Sequence, residues 1–60
     1  MTGLVIGQRA RFVDAPDITA RVLSTHHHSW TKVYEVTVAW FHCGVRYVET
    51  VSDFELEGVE

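Results

Sequence analysis

The sequence predicts an all-β fold, a small five-stranded barrel wound as a meander with a short 3₁₀ turn before its closing strand. Three observations carry that expectation. Apolar residues alternate with polar ones at a period of two over most of the chain. The stretch from Trp30 to Phe41 is dominated by Val, Thr, Tyr, Trp and Phe, which suit a pleated surface. No apolar stripe of period 3.6 and useful length occurs. Sixty residues are too few for a two-layer sandwich of ordinary size, whereas a curled sheet removes its own edges and fills its interior with a few large side chains.

The elements follow in order. Arg9 to Val13 reads as a strand with Ala10 and Phe12 on one face and Arg9, Arg11 and Val13 on the other. Asp14-Ala15-Pro16-Asp17 supplies turn chemistry, because proline fixes φ and aspartate caps nearby backbone. Ile18 to Ser24 is a second strand, with Ile18, Ala20 and Val22 inward and Thr19, Arg21 and Leu23 outward. Thr25 to Ser29 reads as a polar loop. Trp30 to Phe41 is a long central strand whose inward face is Tyr34, Val36, Val38 and Trp40. His42-Cys43-Gly44 closes a tight hairpin, with Gly44 free to take a positive φ. In the next strand, Val45 to Val51, parity places Glu49 with Val45, Tyr47 and Val51, and Val48 with Arg46 and Thr50, a conflict that a bulge would relieve. Ser52-Asp53 can cap a 3₁₀ turn ahead of a short closing strand, with Phe54 and Leu56 spaced for burial.

Composition bounds the function. The chain is one domain, residues 1–60, with net charge −3, which argues against a general phosphate-binding footprint. That charge is uneven: residues 1–32 sum to +2 and residues 33–60 to −5. A single cysteine, Cys43, forms no internal disulfide. The longest apolar run, Val38 to Phe41, falls far short of the about 20 residues of a membrane span. Met1 to Gly7 lacks the basic segment and long apolar core of a secretory signal. The expectation is a cytoplasmic protein, acting in the host cytoplasm if phage-encoded, with no membrane, cofactor or small-molecule substrate implied.

The series Gly7-x-x-Ala10-x-Phe12, Pro16-x-Ile18-Thr19-x-x-Val22, Tyr34-x-Val36-x-Val38-x-Trp40-Phe41-x-x-Gly44 and Phe54-x-Leu56 resembles small SH3-like β-barrel proteins. Within these it is most similar to the YodC-like group of uncharacterised short bacterial and phage proteins. The resemblance spans residues 5 to 57, and its most distinctive parts are Pro16-Asp17-Ile18-Thr19 and Trp40-Phe41-His42-Cys43-Gly44. The chain departs from the group in its longer second loop and central strand. The resemblance implies a binding module and transfers no catalytic residues.

His26, His27 and His28 are imidazoles of the kind zinc favours, and they form the weak metal-binding alternative. Neighbours on extended backbone project to opposite faces. A central strand of this length also separates them from His42 and Cys43 by roughly 35 Å, so one chain does not complete the ligand set and no metal site is assigned. His42 and Cys43 are not a catalytic pair, since adjacent residues project apart and no acid or oxyanion motif accompanies them.

Two surfaces remain. Val33, Ala39 and Phe41, with Trp30, form an outward apolar set suited to a protein partner or to self-association. Arg9, Arg11 and Arg21, with Lys32, form a basic stripe suited to an anionic partner, nucleic acid being the alternative. The function expected is therefore a non-enzymatic protein-interaction or accessory module of bacterial or phage origin, in which the apolar face is buried and the arginines select an acidic partner.

Overall fold

The computed structural model describes residues 4–27, 30 and 32–59. Its strands are β1 (Arg9–Phe12), β2 (Thr19–His27), β3 (Tyr34–His42), β4 (Val45–Ser52) and β5 (Leu56–Val59), with a 3₁₀ turn at Asp53–Glu55. They form one antiparallel sheet in the order β4-β3-β2-β1-β5. The all-β class, the meander of β1 to β4 and the 3₁₀ turn agree with the sequence; β5 crosses to β1, and the sheet does not close. The sheet is open, with β4 paired to β3 and β5 to β1.

The bulge is not where the parity of β4 suggests. It lies in β2, between Val22 and Ser24, and not in β4. β4 runs in uninterrupted register against β3, from His42 opposite Val45 to Glu35 opposite Ser52. The same register settles the parity conflict, because directly opposed residues share a face. Trp40 opposes Tyr47 and Ala39 opposes Val48, so Val45, Tyr47, Glu49 and Val51 belong to the inner face and Arg46, Val48 and Thr50 to the outer. The Thr37 and Thr50 hydroxyls meet at 2.9 Å on that outer face.

Leu23 is the extra residue, and β2 continues past it. Beyond it Ser24 opposes Thr37, Thr25 opposes Val36, His26 opposes Glu35 and His27 opposes Tyr34. The segment expected as a polar loop is thus strand as far as His27, whose ring stacks on Tyr34 at 4.5 Å. The central strand correspondingly starts at Tyr34 and not at Trp30. The hairpin between β3 and β4 has Cys43 at φ 53° and Gly44 at φ 79°. Positive φ at both central positions is the type I′ turn whose twist matches the flanking strands.

The inner face carries the core: Leu4, Ala10, Ala20, Val22, Val36, Val38 and Leu56, with Phe12, Trp40 and Val51 at its margin. Phe12 meets Trp40 edge to face at 5.2 Å, and Trp40 stacks on Tyr47 at 5.6 Å. The largest fully buried side chains are Val22, Val36 and Val38, each contributing roughly 2 kcal/mol by burial. The segment before β1 is tied to β2 by Gly7 N–H donating to Val22 O at 2.8 Å and Val22 N–H to Gln8 O at 2.9 Å. In the 3₁₀ turn, Ser52 N–H donates to Glu55 Oε2 at 3.0 Å, and Leu56 N–H donates to Asp53 O. That tight turn leaves Leu56 buried and Phe54 exposed, so the expected burial of Phe54 does not occur. No helix among the described residues is long and apolar enough to cross a membrane.

Candidate functional site: the outer face of the sheet

The ladder registers set the outer face residue by residue. One row runs Val59, Arg9, Arg21, Ala39, Val48 across β5, β1, β2, β3 and β4. Beside it, Arg11 stands between Glu57 and Thr19, and Phe41 opposes Arg46. Period-two alternation thus puts four arginines from three strands on the face that also carries Phe41, Leu23 and Val48.

These side chains enclose an open groove of about 520 Å³, lined among others by Arg9, Arg21, Leu23, Ala39, Phe41 and Arg46. Ala39, only 9% exposed, forms its floor. It was expected as part of an exposed apolar face; a side chain of one carbon between larger cross-strand neighbours is covered by them instead. Phe41, 71% exposed, stands on the rim. Among the described residues, none that lines the groove is acidic.

The arginines are held differently. Arg21 Nη1 donates to the carbonyl oxygen of Gly7 at 2.8 Å. Gly7 lies at φ 90°, a conformation that glycine adopts without steric penalty. Arg11 Nε donates to the Glu57 carboxylate across the β1–β5 pair, so its charge is matched locally. Arg46 makes no hydrogen bond or ion pair among the described residues, and its guanidinium is available to a ligand.

Other expected site residues lie elsewhere. Trp30, Lys32 and Val33 belong to the connection between β2 and β3, at the opposite end of β3 from Phe41. Trp30 is 79% exposed and Val33 half-buried. The structure therefore does not bring Trp30 and Val33 together with Ala39 and Phe41, nor Lys32 together with the arginines. His26 and His27 alternate along β2, facing Glu35 and Tyr34, and His28 lies outside the described residues. His42 ends β3 opposite Val45, and Cys43 occupies the exposed turn.

Arg46 was absent from the sequence-based site, although its signal was legible. Counting outward from a two-residue Cys43-Gly44 turn pairs Phe41 with Arg46; the supposed bulge in β4 obscured that count. Alternation turns Leu23 outward, but its place at a bulge depends on the β2–β3 register, and it shares the groove with Ala39. No protein-family model, curated protein or solved structure matches the chain.

Proposed function

We propose that the chain is a non-enzymatic SH3-like binding module that takes an acidic protein segment with an apolar anchor onto the outer face of its sheet. The convergence of Arg9, Arg21 and Arg46 around a groove floored by Ala39 and rimmed by Phe41 carries this reading. Ala39 and Phe41 of the apolar set share one concavity with Arg9 and Arg21 of the basic set, so one ligand can satisfy both. The SH3-like assignment is supported by the strand order, the pairing of β5 with β1 and the 3₁₀ turn before β5.

A protein ligand is favoured over nucleic acid by the charge. Binding along a phosphate backbone needs many uncompensated cations, whereas Arg11 is paired with Glu57, Lys32 is remote and the net charge is −3. Single-stranded nucleic acid is usually held by bases stacked on successive aromatic rings; among the described groove residues Phe41 is the one strongly exposed ring.

The test is fluorescence anisotropy with a short labelled peptide of alternating Glu and Phe, using labelled oligothymidylate in parallel. The peptide is expected to bind with a salt-sensitive affinity. Phe41→Asp and Arg46→Glu should each weaken it about tenfold, one lost contact of about 1.4 kcal/mol. Arg11→Gln should change it little. Binding of the peptide that ignores Phe41→Asp, or tighter binding of the oligonucleotide, would reject the proposal.

A further inference from the structure

We infer that two copies of this chain join through the free edge of β4, antiparallel about a twofold axis at Val48, fusing two five-stranded sheets into one. Edge strands are normally blunted by shortness, proline, lysine or a bulge. β5 fits that pattern, being four residues long and containing Gly58. β4 fits it less well: it has eight residues, none of them proline or lysine, and no break in register, and its one inward-facing charge is Glu49. It exposes Val45, Tyr47 and Val48. The core that must support this edge has only three valines as its largest fully buried side chains, and small domains commonly supplement such a core by oligomerising.

Backbone geometry specifies which groups are offered. The two-residue turn makes His42 and Val45 a hydrogen-bonded pair. Alternation then directs the backbone groups of Val45, Tyr47, Glu49 and Val51 toward β3, and those of Arg46, Val48 and Thr50 toward the open edge. The close approach of the Thr37 and Thr50 hydroxyls agrees with a non-hydrogen-bonded pair there.

Register follows from three constraints. Opposed residues must share a face, so the axis passes through a residue and not between two. Overlap of Val45–Ser52 with its copy is greatest for an axis at Val48 or Glu49. Glu49 would place two carboxylates directly opposite each other, which is unfavourable. Val48 remains. In that register Arg46 faces Thr50 of the second copy and Val45 faces Val51. Glu49, the inward-facing charge that would otherwise guard the edge, faces Tyr47, whose hydroxyl can donate to it. Because the contact is isologous and the β5 edges are short, assembly stops at two chains.

The test is sedimentation velocity of the full chain over a range of concentrations, with amide hydrogen exchange at each end of the range. A monomer–dimer equilibrium is expected, with the Arg46, Val48 and Thr50 amides slowed as the dimer forms and those of Tyr47 and Glu49 slowed throughout. Thr50→Arg sets two arginines opposite each other at both symmetric positions and should weaken association about tenfold. Adding Arg46→Glu should restore it, a reversal that loss of folding cannot imitate. Phe41→Asp should leave association unchanged. A chain that stays monomeric at every concentration, a dimer indifferent to Thr50→Arg, or one dissociated by Phe41→Asp would overturn the inference.

Discussion

Phe41 and Arg46 oppose each other directly across the β3–β4 ladder, so the exposed ring and a guanidinium without a partner among the described residues rise side by side from one hairpin. Neither supports the core. Phe41→Ala should therefore leave the urea midpoint within the range of ordinary surface substitutions, about ±0.5 kcal/mol, while weakening binding of the acidic peptide by up to about tenfold. A large loss of stability would show that Phe41 packs onto the fold and is not a ligand contact.

The core prediction is the converse. Val38 is fully buried on the inner face, and Val38→Ala leaves a cavity in a small core. Destabilisation of about 2 kcal/mol is expected, read as a lower urea midpoint at an unchanged slope. That is a large fraction of the stability of a 60-residue chain, roughly 3–9 kcal/mol at typical values per residue.

The hairpin offers a gain. Cys43 holds φ 53° ahead of Gly44 at φ 79°, and asparagine occupies the first position of a type I′ turn more readily than cysteine. Cys43→Asn should stabilise the protein by on the order of 0.5 kcal/mol. Gly44→Ala has no steric clash to meet but keeps the positive φ, and should cost about 1 kcal/mol. Thermal melts of the two variants moving in the same direction would contradict this account of the turn.

Arg11 and Glu57 form an ion pair with both side chains about half exposed. Solvent screens such a pair, so Glu57→Gln should alter stability by less than about 1 kcal/mol. Its consequence lies in recognition: releasing Arg11 adds an uncompensated cation to the outer face. The affinity of the acidic peptide should rise and become more salt-dependent, and an affinity unchanged at low salt would place Arg11 outside the ligand's reach.

Alternation by itself determined the all-β class, the inward set Ala10, Ala20, Val22, Val36 and Val38, and the outward arginines of β1 and β2, because a period of two assigns a face once a strand is recognised. His42-Cys43-Gly44 likewise announced a hairpin through its turn chemistry, and the structure narrows the turn to Cys43 and Gly44, with His42 in β3. Register, closure and burial were decided only by the tertiary structure. The bulge at Leu23 leaves no local trace distinct from ordinary strand, yet it sets which residues of β3 face Ser24 to His27. Ala39 and Phe54 are apolar residues whose exposure depends on their neighbours: cross-strand side chains cover Ala39, and a 3₁₀ turn leaves Phe54 outside. The groove draws on four strands, and a contact between strands depends on pairings that no single segment encodes.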